Sequence, residues 1–169
     1  DGILSNCYAF FSQKDIARLE KFLRDKSVAE RELGSQLLEE IVGYCETADC
    51  RRKFLLHYFG EKYQTEQCGN LCDNCREPKE RKEAKEDIAL LIQAIDELNE
   101  QFTTKVIAEF LYGRQTKEVK DFRLDKKIAF AKGKDREGMY WFSATRQALM
   151  EGLLYKEIEK YGILNITDK

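Results

Sequence analysis

One proline, one histidine and one tryptophan occur in 169 residues, and no apolar run approaches the ~20 residues needed to span a bilayer. With Pro78 as the only helix breaker of its kind and 43% of the chain hydrophobic, the sequence points to a helix-rich fold with a sizeable core. The first residues lack the pattern of a secretory signal peptide. No Gly-x-x-x-x-Gly-Lys-Ser/Thr loop occurs, nor an Asp-Glu pair after a buried strand, nor a paired nucleophile and base, so no catalysis is expected from these residues. A large excess of one charge is missing too, the net being -2, and the total alone does not mark a nucleic-acid binder. The distribution says more. Residues 103–138 hold ten Lys/Arg against six Asp/Glu, whereas residues 1–102 hold 15 against 21, which leaves a basic segment inside an acidic chain.

What the chain does have is cysteine, six in all. Cys72 and Cys75 form a C-x2-C pair whose turn, helped by Asp73 and Asn74, brings two thiolates onto one ion. Cys68 lies just upstream. Cys50 opens a segment with Phe54, Leu55, Tyr58 and Phe59 at helical spacing, so a fourth thiolate arrives from a helix start. Four sulfurs close a tetrahedral shell and leave no position for water, which argues for a structural zinc and against a hydrolytic one. Disulfides and an iron-sulfur cluster are the competing readings; the chain is long enough to fold without staples, and a C-x3-C-x2-C run after a 17-residue gap from Cys50 is not a usual cluster spacing. Cys7 and Cys45 read as small core residues. His57 reads as a surface or outer-shell residue.

Composition shifts organise the rest. Residues 1–12 read as a strand remnant, Ser12 as an N-cap, and Asp15–Leu23 as a helix with Ile16, Leu19, Phe22 and Leu23 on one face. A longer helix over about 28–47 carries Val28, Leu33, Leu37, Leu38, Ile41 and Val42 toward the Phe54/Tyr58 helix. Residues 76–86 hold Pro78, dense mixed charge and no large apolar residue, the profile of a linker or helix start. Beyond it, Ile88, Leu91, Ile92, Ile95 and Leu98 mark one helix, and Val106, Ile107, Phe110 and Leu111 a second that stops at Gly113. The basic stretch 114–138 precedes a third, Tyr140 to Leu149. Two β-like runs, 153–156 and 163–167, follow. Three helices and a hairpin are the order of a winged helix.

The run Cys50-Arg51-Arg52, Leu55-Leu56, Tyr58-Phe59-Gly60-Glu61, Cys68-Gly69-Asn70 and Cys72-Asp73-Asn74-Cys75 resembles the zinc-binding subdomain of the RecQ family of DNA helicases. Asp1-Gly2, Ser5 and Cys7-Tyr8-Ala9-Phe10-Phe11 resemble the end of that family's last helicase motif, whose arginines would precede this chain. Trp141, Arg146-Gln147-Ala148-Leu149, Gly152-Leu153-Leu154, Tyr161-Gly162 and Leu164-Asn165-Ile166-Thr167 are similar to the family's C-terminal winged helix. One departure is the three-residue gap between Cys68 and Cys72, where some bacterial members have two. The family's further helical nucleic-acid-binding module would begin after Lys169.

The resemblance implies a mainly α, α+β architecture: a helical zinc-binding platform followed by a winged helix with a short β-hairpin. Its divisions are residues 1–27 (tail of the second helicase lobe), 28–78 (zinc-binding), 79–85 (charged linker) and 86–169 (winged helix). It implies a non-catalytic part of a 3′-to-5′ helicase that uses ATP and magnesium elsewhere, acting on duplex, forked or junction DNA with the rest of the helicase in cis. The place implied is the cytoplasm, at the nucleoid. The zinc ligands are Cys50, Cys68, Cys72 and Cys75. Phosphate contacts call for cations near helix ends, which selects Lys126, Lys127, Lys132, Lys134 and Arg136, with Arg114, Lys117 and Lys120 extending the patch. Arg146 either reaches a phosphate or braces its helix. Trp141 reads as core. Tyr161 is the family's candidate wedge at the hairpin tip, or a turn anchor. A winged-helix transcription regulator or protein-interaction adaptor with a structural zinc is the alternative.

Overall fold

The computed structural model describes residues 5–80, 82–136, 139–157 and 160–167, with Gln13 as backbone only. Backbone contacts divide the chain into two compact units, 1–46 and 47–169, each described here by itself.

The first unit is a helix pair. Residues 5–12 carry no regular structure, so the expected strand remnant is not present among them, and Asp1-Gly2 lies outside the described residues. Helix α1 (Gln13–Leu23) follows Ser12, whose hydroxyl lies 2.6 Å from an Asp15 carboxylate oxygen. Helix α2 (Val28–Glu46) opens on a reciprocal cap that the sequence reading did not name: Ser27 donates to Glu30, and the Glu30 N–H returns to the Ser27 hydroxyl at 3.3 Å. Gly34 makes room for Leu23, since a Cβ there would come within 2.5 Å of that side chain. Two helices alone cannot cover both apolar faces. Within the described structure Phe22, Val28, Leu33, Leu37 and Ile41 stay exposed and only Val42 is buried, in contrast to the buried stripe expected.

The second unit opens with the cysteine region. Helix α3 (Arg51–Tyr58) starts at Cys50, a 3-10 turn spans Thr65–Cys68, and the single-turn helix α4 (Asp73–Arg76) starts at Cys72. The charged stretch follows, and then α5 (Lys85–Glu97) and α6 (Thr104–Tyr112), the latter closed by Gly113 at φ 77°. Gly113 is required twice over, because a Cβ there would also meet Ala131 at 2.6 Å.

The basic stretch is partly helical: α7 (Lys117–Asp121) and a 3-10 turn Leu124–Lys126 precede α8 (Tyr140–Met150). Strands β1 (Leu154–Glu157) and β2 (Ile163–Ile166) pair antiparallel with Leu154 opposite Ile166. Thr103 bridges to Ile163, and the Leu164 N–H donates to the Phe102 carbonyl at 3.0 Å, so the α5–α6 connection lies along the outer edge of β2. The core gathers Leu91, Ile95, Ile107, Phe110, Leu111, Trp141, Leu154 and Leu164 from α5, α6, α8 and both strands. This is the helical zinc-type region and winged helix with hairpin that the sequence led us to expect.

Candidate metal centre and nucleic-acid interface

Four thiols from three short segments converge, and all the Sγ atoms of Cys50, Cys68, Cys72 and Cys75 lie within 4.8 Å of one another. A tetrahedral zinc with Zn–S bonds of about 2.3 Å sets its sulfurs about 3.8 Å apart, so this donor set fits the ion after small adjustments. Cys50 and Cys68 are buried, while Cys72 and Cys75 are half-buried. Burial pushes the Cys50 and Cys75 thiols up. At Cys72 burial pushes the same way but is outweighed by the Arg51 and Cys75 N–H groups and by the Cys75 and Cys68 thiols, which bring it down to about 7.

The surroundings of the quartet are built to hold it. Arg51, one residue after Cys50, makes a two-pronged ion pair with Asp73, one residue after Cys72, at 2.7 and 2.9 Å. That guanidinium keeps the Asp73 carboxyl below the usual carboxylate range. Asn74, buried between Cys72 and Cys75, donates to the Thr47 and Asp49 carbonyls at 2.8 Å each and so fixes the approach to Cys50. His57 is exposed and stands outside the sulfur cluster, and Cys45 is half-buried. Cys7 is exposed, which corrects its reading as a core residue: residues 5–12 form no element that could bury it.

The cation set is less uniform than the sequence implied. Arg114 stacks over the Tyr112 ring at 5.1 Å, just past the end of α6. Lys132 and Lys134 are exposed on a segment strapped to that same end, where the Ala131 and Gly133 N–H groups donate to the Phe110 and Leu111 carbonyls. Lys117 and Lys120 are exposed on α7. Lys126 pairs with Asp125 at 3.4 Å, and Lys127 donates to the Glu97 carbonyl at 3.3 Å. Arg146 is half-buried on α8 and engaged in contacts of its own.

Arg136 stands apart. Its guanidinium binds Asp87 at 2.7 to 3.0 Å and lies 5.1 Å from the Tyr140 ring, whose hydroxyl donates to the same carboxylate. Burial and that bond to Asp87 raise the Tyr140 phenol to about 12. Asp87 is buried at the start of α5, so this triad fixes α5 to the start of α8, 49 and 53 residues away along the chain. Trp141 is fully buried, as expected of a core residue, and donates to the Gly133 carbonyl at 3.0 Å. Tyr161 is exposed at φ 59° beside Gly162 at φ 77°, on the turn between the strands; Ile158 and Glu159 of that tip lie outside the described residues.

Comparison with known families places both halves. Residues 13–76 match the RecQ zinc-binding family, and residues 78–169 match the RQC domain. The chain belongs to the RecQ family. Among RecQ relatives, the ATP-dependent DNA helicase RecQ of Bacillus subtilis is 33% identical over 121 residues, covering 70% of this chain and 20% of the relative. The enzyme of the same name from Haemophilus influenzae is 28% identical over 170 residues, covering 99% of the chain and 27% of the relative. The ATP-dependent helicase SGS1 of Saccharomyces cerevisiae is 26% identical over 176 residues, covering 98% and 12%. The chain thus spans 20% and 27% of the length of those two bacterial relatives. Those RecQ relatives are ATP-dependent helicases, and what they share with this chain is the zinc-binding and RQC part.

Sequence reasoning placed Asn74 in the C-x2-C turn but did not foresee its bonds to the Thr47 and Asp49 carbonyls, and it missed the Asp87–Arg136–Tyr140 triad. The first pairs residues 25 and 27 apart, which a polar residue in a turn does not specify. Nothing local marks the second.

Proposed function

We propose that these residues form the zinc-bound, DNA-gripping region of a RecQ-type 3′-to-5′ helicase whose ATP and magnesium sites lie in a motor outside this chain. A four-thiolate cluster and a winged helix sharing one compact unit, both under RecQ family matches, carry this reading. The zinc is structural, held by Cys50, Cys68, Cys72 and Cys75. When bound, it supplies a rigid four-way cross-link. Arg51, Asp73 and Asn74 orient the turns that present the sulfurs.

The DNA face comprises Arg114, Lys117, Lys120, Lys126, Lys127, Lys132 and Lys134, with Arg146 behind them and Tyr161 at the hairpin turn. Arg136 serves as a brace, since its guanidinium is occupied by Asp87. Residues 28–78 are the zinc-binding part, 79–85 the linker, 86–169 the winged helix and 1–27 the tail of a motor lobe. The parent acts on duplex, fork or junction DNA in the cytoplasm at the nucleoid. No helix among the described residues is long and apolar enough to cross a membrane.

Titration of the zinc-loaded chain with forked duplexes of unrelated sequence tests the reading. Comparable affinities are expected, with log K falling linearly against log salt, and the double change K132E/K134E should reduce that slope by about two. A preference of about a thousandfold for one sequence would instead favour the regulator.

A further inference from the structure

Phe122 is an exposed aromatic residue that neither the fold nor the cation set explains. It follows α7 directly, and 63% of its surface is exposed although it lies in the most basic part of the chain. Residues 114–134 carry eight Lys/Arg against three Asp/Glu. An exposed phenyl ring there covers no core.

The ring is nevertheless held. Its centroid lies 5.3 Å from that of Phe102 in an edge-to-face arrangement at 80°, and Phe102 itself packs on the winged-helix core. Such a contact fixes the ring and leaves most of it open. Phe102 also accepts the Leu164 N–H, so the ring stands beside the root of the hairpin. Along the chain Arg123 follows directly, exposed and held in the left-handed region at φ 52°, while Lys120, exposed in the last turn of α7, lies two residues before, with the exposed Asp121 between it and the ring. That conformation is the left-handed stop that ends α7, with the Arg123 N–H donating to the Lys120 carbonyl at 3.1 Å.

A fixed, open aromatic face between cations has the chemistry of a single-strand binding surface, where a base stacks and flanking phosphates are neutralised. Paired bases inside a duplex have no free face to offer it. We propose that Phe122 is a stacking surface for one unpaired base, with Lys120 and Arg123 taking the phosphates on either side. This rests on the DNA-binding reading above and adds a strand preference to it.

The test uses the whole zinc-loaded chain with two probes at low salt: an oligothymidylate of about ten nucleotides and a blunt hairpin duplex. Phe122→Leu keeps an apolar side chain of similar bulk and removes the π face. It should weaken the oligothymidylate about tenfold and the duplex less than twofold, while Phe122→Trp keeps both affinities and its emission is quenched by the single strand. Unchanged oligothymidylate binding by Phe122→Leu, with the duplex still bound, overturns the stacking surface alone. Equal weakening of both probes also overturns it, since that marks loss of packing. Failure of the unaltered chain to bind either probe overturns this proposal and the DNA-binding reading together.

Discussion

Cys72 illustrates how much of this molecule is decided by single side chains. It belongs to the C-x2-C turn, precedes the residue that Arg51 grips, and has its thiol lowered to about 7 by neighbouring N–H groups and thiols. Cys72→Ser should reduce bound zinc from about one ion per chain to none by elemental analysis. Because structural zinc contributes about 10 kcal/mol or more to small modules, the helical signal of the cysteine region should be lost with it. Tyr140 poses a gentler test. Its phenol loses a proton near pH 10 when unfolded and near 12 when folded. Its stabilising contribution is therefore full below pH 10 and is lost as the pH rises toward 12. Tyr140→Phe should cost about 1 kcal/mol near neutrality, and denaturation at stepped pH should show that gap closing across this window.

Elements in the winged helix are held by acceptors at their ends. The Glu97 carboxylate, at the end of α5, accepts the Ile128 and Ala129 N–H groups at 2.6 and 2.9 Å and so anchors the basic segment. Glu97→Ala should remove that anchor, with hydrogen exchange at these two amides quickening by tenfold or more, a loss of about 1.4 kcal/mol of protection. Helices α5, α6 and α8 were legible in the sequence because each carries an apolar stripe that the core absorbs. Helix α7 was not, being five residues long with one buried side chain, Val119. The Thr103 bridge and the Asp87 triad were hidden for another reason: they join residues 49 or more apart, and such pairings leave no periodic trace. The apolar stripes of α1 and α2 misled in the opposite sense. Periodicity reports that a face is apolar and is silent on what covers it.

At the scale of the second unit, the buried apolar cluster that unites its elements runs from Leu91 to Leu164 and takes nothing from the cysteine region. There Phe54, Cys50 and Cys68 are the buried apolar side chains. One link between the two parts, Lys53 to Glu151 at 3.5 Å, is a half-exposed ion pair of the kind worth ~0–1 kcal/mol. Chelation should therefore unfold residues 47–76 and leave the winged helix standing. Circular dichroism should report lost helix while Trp141 emission stays unshifted; a red shift accompanying the helix loss would mean the two parts fold as one. The cysteine ligands were readable for the reason that makes this separation possible, since the site is closed by residues no more than 25 apart.

A region whose interior is a metal ion answers to mass action in a way an apolar core does not. Each tenfold fall in free zinc removes about 1.4 kcal/mol from the cysteine region wherever the ion binds only the folded form, while the winged helix beside it is indifferent. Two neighbours in one chain would then be governed by different variables, one by temperature and solvent, the other also by the supply of a trace element.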